Sequence, residues 1–351
     1  MFKIDVLPAE FGDSLWIEYG SAAKPSRILI DCGTKSVYKK ALKARIEALK
    51  PKDRRFELFV VSHVDIDHIG GAIDFVRDSR ALGVTFGDVW FNGYKQLIAA
   101  SNMLGAPSGE DLTALLEDMK LPWNKAFKGK PVALKPTGAL PAIELAGKMR
   151  ITLLSPLLQQ LVDLIPEWEA ACKDAKIKPG QGRRPKRPGG RGPVMLGDPP
   201  VEALASEKFT SDRAAPNGSS IALLAEFGGK RAILAADAHV PTLLSSLKRL
   251  GKGKPQKVDA FKVSHHGSRN NTSVELVESV ECRKWIVSTN GKQFEHPDQQ
   301  AIARIVKHGT PGQTLYFNYE TKFNDMWKSA RLARDFKFSA LYEEKARTVV
   351  L

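Results

Sequence analysis

The feature that most constrains this chain is a six-residue string, His63-Val64-Asp65-Ile66-Asp67-His68, which directly follows the apolar run Glu57-Leu58-Phe59-Val60-Val61-Ser62. The run has the length and β-branched content of a buried strand. Four cation-binding side chains therefore emerge together at a strand end, where α/β folds place their sites. In an extended stretch residues 63, 65 and 67 project to one side, and His68 adds a second imidazole as the chain turns. Gly70 and Gly71 follow and permit close backbone approach. Two nitrogen and two oxygen donors this close can seat two divalent cations about 3.5–4 Å apart, provided other loops complete the ligand sets. The plainer alternative is a charged helix start without metal. Carboxylates crowded in that way would repel one another if no cation lay between them.

Two more strand ends carry the same chemistry. Ile233-Leu234-Ala235-Ala236-Asp237-Ala238-His239 ends an apolar run on a carboxylate, and Asp237 there suits a bridging metal ligand, although an acidic strand end is common in itself. Val263-Ser264-His265-His266-Gly267-Ser268 sets tandem imidazoles at the end of another. One of the two can ligate while the other donates a proton or contacts a phosphate. His296 precedes a proline, and of the seven histidines only His308 stands apart from such company.

Around these motifs the pattern is that of an α/β protein. Strands are expected over residues 2–7, 14–19, 27–31, 57–62, 84–91, 149–154, 258–264 and 285–288, with a hairpin turn at Phe11-Gly12-Asp13 and another across Gly228-Gly229 joining 220–227 to 230–235. Helical spacing marks 39–49, the stretch after Gly71, 112–119 and 297–308. The chain reads as one domain over 1–351, with residues 94–215 as an insertion in its middle. Within that insertion residues 173–200 are rich in Lys, Arg, Pro and Gly and nearly devoid of core formers. They are expected to form a basic flexible loop. It is either a solvated linker or an electrostatic arm whose Arg183, Arg184, Lys186, Arg187 and Arg191 contact substrate.

Composition sets the partner class. A formal net charge of +14 favours a polyanion, since neutralising phosphates releases counterions and steers encounter, so nucleic acid is the expected partner. No apolar run approaches the roughly 18 residues of a membrane helix, and no basic-then-apolar leader opens the chain. No membrane association and a cytoplasmic location are the expectation. Three widely spaced cysteines, Cys32, Cys172 and Cys282, suggest reduced thiols, not a disulfide framework or zinc ribbon. Oligomeric state is left open.

Taken as an ordered set, the motifs resemble metallo-β-lactamase-fold hydrolases. The set comprises Phe11-Gly12-Asp13-Ser14, Ile28 to Gly33, His-x-Asp-x-Asp-His-x-Gly-Gly from residue 63, Asn217 to Ser220, Asp237, His265-His266-Gly267-Ser268, Ser288-Thr289-Asn290 and His296-Pro297. The nearest subgroup is the hydrolase domain of DNA-uptake competence proteins (ComEC type), and the resemblance covers about residues 1–90 and 215–310. It implies a four-layer αββα sandwich of the metallo-β-lactamase type. By position it implies that His63 and Asp65 hold one divalent ion, that Asp67, His68 and His266 hold a second, and that Asp237 bridges them. It further implies that His265 meets the scissile phosphate or the leaving group, that Asp31 is a structural carboxylate beneath the metal loop, and that Asn217, Ser268 and His296 face substrate. Two positions depart from the broad family. Asp65 replaces a histidine, as is usual in the competence subgroup, and Asn217 stands near where the broad family supplies another. More oxygen and less nitrogen shifts preference from zinc towards manganese or magnesium. Competence proteins also carry a membrane channel, and no such channel is expected from these residues.

The expected activity is metal-dependent phosphodiester hydrolysis of DNA or RNA through a two-metal-activated hydroxide. Asp67 or Asp237 would orient the hydroxide and His265 would protonate the departing oxygen. The alternatives are a hydrolase of a lactone or small phosphodiester on the same site, and a catalytically silent binding module.

Overall fold

Short strands, most of them buried on both faces, and helices with one apolar stripe stack in this computed structural model as four layers, helix–sheet–sheet–helix. It describes residues 1–101, 108–174, 200–343 and 347–351. The first sheet has six strands in the order Arg347–Val350, Phe2–Val6, Leu15–Gly20, Pro25–Ile30, Leu58–Val60 and Val89–Trp90. The second has eight, in the order Phe338–Tyr342, Gln313–Phe317, Lys284–Val287, Ala260–Lys262, Lys230–Leu234, Ala222–Phe227, Arg150–Ser155 and Ala142–Glu144.

The period of two along each strand divides the core. Ile28 and Ile30 face inward and join Ile4, Ile17, Leu58 and Val60 against Leu153, Leu223, Ala232, Leu234, Ala260 and Ile286 of the opposite sheet. Leu29 and Phe59 face outward and pack with Tyr38, Leu42, Phe75, Leu161 and Trp168 from the helical layer over the first sheet. Over the second sheet Leu224, Ile233, Phe261 and Trp285 meet Leu243, Leu247, Ile302 and Ile305. The expected αββα sandwich is therefore present, and each sheet is sealed on both faces.

Direction within the sheets decides where the chemistry goes. Pro25–Ile30 and Leu58–Val60 run parallel, as do Lys230–Leu234, Ala260–Lys262 and Lys284–Val287. The C-terminal ends of each set thus lie on one edge of its sheet, and the loops that follow carry Asp31, His63 to His68, Asp237, His265-His266 and Ser288. The amide of Ile221 donates to the Ser62 carbonyl at 2.9 Å, tying the two edges together.

Some expected elements are shorter, for a common reason. The strand expected over 84–91 breaks into Thr85–Phe86 and Val89–Trp90. At the break the Asp88 carboxylate accepts from the amides of Val89, Lys125 and Ala126 and from the Trp90 indole. The strand expected over 258–264 breaks at Asp259 into Gln256–Val258, paired with Val280–Cys282, and Ala260–Lys262. Asp259 accepts from the Arg231 amide and from the Lys230 ammonium. In each case a carboxylate diverts the backbone from one sheet to another.

Part of residues 94–215 belongs to the layers themselves. Arg150–Ser155 pairs antiparallel with Ala222–Phe227 and extends the second sheet. Leu161, Leu164, Ile165 and Trp168 of the helix Leu158–Asp174 belong to the core over the first sheet. The residues Arg183, Arg184, Lys186, Arg187 and Arg191, and most of the basic segment, lie outside the described residues. The three cysteines are free and buried. Among the described residues no helix is long and apolar enough to cross a membrane.

Candidate metal centre

The centre is built from the floor upward on Asp31. At the end of its strand this residue adopts a left-handed conformation, φ 58°, and its carboxylate is fully buried. It accepts from the Ser62 amide at 2.7 Å, the Ser62 hydroxyl at 2.7 Å and His68 Nδ1 at 2.8 Å. These bonds dictate tautomers. A carboxylate only accepts here, so Nδ1 of His68 carries its proton. The Ser62 hydroxyl proton is spent on Asp31, so its oxygen accepts from His63 Nδ1 at 3.0 Å. His266 Nδ1 donates to the Ser288 carbonyl at 2.8 Å. All three rings are thereby turned to present Nε2 lone pairs to one enclosed point, the arrangement expected of metal-ligating histidines with oriented outer partners.

Asp237, at the end of the opposite sheet's strand, closes that point. Its Oδ2 lies 3.4 Å from His68 Nε2, 3.7 Å from His266 Nε2 and 3.8 Å from His63 Nε2. Asp67 Oδ2 lies 3.5 Å from His266 Nε2 and 3.8 Å from His68 Nε2, and Asp65 Oδ2 lies 3.9 Å from His63 Nε2. Donors about 2.1 Å from a shared tetrahedral ion stand roughly 3.4 Å apart, so these spacings suit direct ligation. Two further facts fit a cation. His68 Nε2 and His266 Nε2 face each other at 3.2 Å, with the Nδ1 protons already spent on Asp31 and the Ser288 carbonyl. His63 Nε2 and Asp237 Oδ1 are buried with no hydrogen-bond partner. Facing lone pairs and orphaned buried acceptors are costly unless a proton or cation lies between them. His63, His68 and Asp237 form one candidate ligand group and Asp67, His68 and His266 another.

The electrostatics reflect carboxylates in excess. Burial and the adjacent His68 ring push His63 down to about 3, leaving its imidazole neutral. Burial opposes ionisation of Asp67, but His68 and His266 outweigh it and hold the carboxyl down at about 2. Burial is likewise outweighed at Asp237, held well below the usual range by His68, His266 and His265. His68 is held well above its ordinary value because Asp237, Asp31 and Asp67 overcome its desolvation.

The turns holding these groups are strained. Ala236, His265 and His266 have φ of 46°, 46° and 55°, a region costly for residues with a Cβ and frequent at functional sites. Gly12 marks another constraint, since a Cβ there would stand 1.8 Å from the Asp67 carbonyl oxygen. The Phe11-Gly12-Asp13 turn therefore lies directly on the metal loop, with the Asp13 amide donating to that same oxygen.

His63, Asp65, Asp67, His68, Asp237 and His266 converge, with Asp31 beneath them. His265 stands beside them, its Nε2 3.8 Å from Asp237 Oδ2. Asn217 lies behind His265, its amide donating to Asp212 Oδ2 at 2.6 Å and standing 3.3 Å from His265 Nδ1. The Ser268 hydroxyl is buried and caps the amide of Asn270, so it shapes the turn. The His296 ring lies 5.3 Å from that of His265, and burial with His265 and His266 nearby drives it well below its ordinary value. His239 turns away, its Nε2 donating to the Ala214 carbonyl.

Several contributors carried no legible signal. Asp212 and Asn271 hold His265, with Asn271 Oδ1 accepting from Nδ1 at 3.0 Å and Asp212 Oδ2 3.5 Å away. Against burial, Asp237 and Asp212 raise His265 to about 9. Asp13 and Lys262 form a fully buried ion pair, with Asp13 Oδ1 3.6 Å from His266 Nδ1. Lys262 sits in an apolar strand, and only the fold brings it to Asp13.

Residues 11–93 match the Metallo-beta-lactamase superfamily. That stretch runs from the Phe11-Gly12-Asp13 turn through the His63–His68 loop. ComE operon protein 3 of Bacillus subtilis (strain 168) is 29% identical over 104 residues, which is 28% of this chain and 12% of that protein. The matched stretch is thus a small part of the relative's length. Among solved structures, the metallo-beta-lactamase fold protein YhfI of Bacillus subtilis aligns with TM-score 0.44 and 10% identity over 99% of this chain and 98% of its own. Zn(2+)-bound PqqB of Methylobacterium extorquens aligns with TM-score 0.42 and 9% identity over 100% of each chain. The matched stretch carries His63 and Asp67-His68 of the candidate ligand groups.

Proposed function

We propose that the protein hydrolyses phosphodiester bonds of nucleic acid at this centre. The observation that carries the reading is the convergence of His63, Asp65, Asp67, His68, Asp237 and His266, with imidazole lone pairs fixed toward a shared point and His265 beside it. His63 and Asp65 would hold one divalent ion, Asp67, His68 and His266 the other, and Asp237 both. The mixed set of three imidazoles and three carboxylates suits manganese or zinc, with magnesium as a third choice. When bound, such ions lower the pKa of water and offset charge on phosphoryl oxygens.

The chain's own groups divide the remaining work. Asp31 and Ser62 lock the rings of His68 and His63 before substrate arrives, which removes reorganisation at the moment of reaction. Asp67 and Asp237, both ionised, orient the attacking water. His265 keeps Nδ1 engaged with Asn271, leaving Nε2 to pass a proton to the departing oxygen. The net charge of +14 supports a polyanionic substrate, and the basic segment around Arg183, Arg184, Lys186 and Arg187 would add to its attraction.

The test is cleavage of plasmid and oligonucleotides, single- and double-stranded, DNA and RNA, with manganese, zinc or magnesium supplied in turn. Cleavage by the wild type that Asp67→Ala abolishes is expected. No cleavage beyond that of the Asp67→Ala control overturns the reading, and turnover of lactones or small diesters alone would assign the centre to a small-molecule hydrolase.

A further inference from the structure

Rings line one approach to the metal centre. Phe294 is 46% exposed, unusual for so large an apolar side chain beside a buried polar site. Its ring meets Phe11 edge to face at 5.9 Å and lies 6.3 Å from His296, whose ring is in turn 5.3 Å from His265. The four rings form a continuous file from solvent to the imidazole beside Asp237. Ile66, between the ligands Asp65 and Asp67, is exposed to 45% and adds apolar surface to the metal loop.

The file is held firmly. Phe11 precedes Gly12, which is pressed on the Asp67 backbone. The Ser288 hydroxyl donates to the Gly12 carbonyl at 2.8 Å, and the Asn290 amide donates to the Glu10 carbonyl at 2.7 Å. The loop bearing Phe294 is closed by the Glu295 amide donating to the Gly291 carbonyl at 3.0 Å. Rigid aromatic side chains left exposed beside a site offer binding surface at little entropic cost.

We propose that Phe11, Phe294 and His296 form a stacking wall for an unpaired nucleobase, so that the strand engaged at the metal centre is single-stranded. This deepens the phosphodiesterase reading and rests on it. A flat ring is the partner that edge-on and tilted rings accept best, and bases bind proteins by stacking irrespective of sequence. A polyanionic strand also meets the excess positive charge. A duplex keeps its bases stacked on one another and cannot present one to the wall.

The experiment measures binding apart from cleavage. Fluorescence anisotropy of the full chain in chelator, at fixed salt, uses a labelled oligothymidylate, an abasic phosphodiester strand of equal length, and a duplex. The wild type should favour oligothymidylate over the abasic strand by about fivefold or more, the effect of one stacked base. Phe294→Ala should erase that preference while leaving abasic binding unchanged, and Phe294→Trp should keep it. Equal wild-type affinity for the three probes, no binding of any of them, or an equal loss on both single strands in Phe294→Ala would overturn the wall. If base-dependent binding persists while no metal restores cleavage, the hydrolase reading fails and the wall stands. If cleavage occurs without base preference, the reverse holds.

Discussion

Lys262→Met should unsettle the fold from beneath the metal centre. Lys262 is fully buried in its strand, and its ammonium pairs with Asp13, itself buried. Asp13 Oδ1 has no hydrogen-bond partner, and the nearby His266 Nδ1 is already engaged with the Ser288 carbonyl. Removing one member of a buried pair leaves an uncompensated charge and costs about 3–5 kcal/mol. At about 2 °C per kcal/mol for a chain of this size, the melting midpoint should fall by roughly 6–10 °C. Urea unfolding in chelator, read by circular dichroism, would give the loss as a lower midpoint at unchanged slope. The companion variant Lys262→Met/Asp13→Leu removes both charges and should recover most of the loss, because a buried pair is often worth no more than apolar residues of similar size. The cycle isolates the pair's coupling. A single-variant loss below about 1 kcal/mol, or a double variant as unstable as the two single losses added together, would refute the reasoning.

Asp31→Asn should weaken divalent-ion binding by about 10–100-fold, the usual cost of losing an outer partner of a metal-bound imidazole. The carboxamide cannot accept from the Ser62 amide, the Ser62 hydroxyl and His68 Nδ1 as the carboxylate does. Titration calorimetry with manganese or zinc reads the change, and an unaltered affinity would exclude the positioning role. Glu18→Gln tests acid stability away from the site. Burial opposes ionisation of Glu18, but Lys3 and Arg27 outweigh it and hold the carboxyl below its ordinary value. Its contribution is therefore present above about pH 4.3, the unfolded value, and is lost as pH falls through the lower folded value. The variant should lose about 1–3 kcal/mol at neutral pH and show a shallower acid decline than wild type. A parallel decline would assign the acid sensitivity elsewhere.

The legible part of this protein is local. The string from His63 to His68 sat on an apolar run, and the structure puts that run at a strand end. Asp237 and the tandem His265-His266 were legible for the same reason, since a polar group that ends an apolar run must leave the sheet. Strand breaks at Asp88 and Asp259 were not legible, because a carboxylate that diverts a strand acts through amides supplied by other segments. The strand Arg150–Ser155 is legible by itself but its place in the sheet is not, because nothing in its own residues names Ala222–Phe227 as its partner. Asp212 and Asn271 went unseen because their role depends on reaching His265 across a fold, not on spacing.

By itself the sequence determined donor chemistry and the alternation of apolar and polar positions, both of which are carried by neighbours along the chain. It therefore determined that groups able to hold a metal would stand at strand ends in a layered α/β fold. Only the tertiary structure decided that two separate sheets align their edges so that Asp237 meets His63 and His68. The same folding pairs Lys262 with Asp13 and files Phe11 and Phe294 into the approach. Those outcomes depend on parallel strand direction and on burial shared between distant segments, and no window along the chain encodes either.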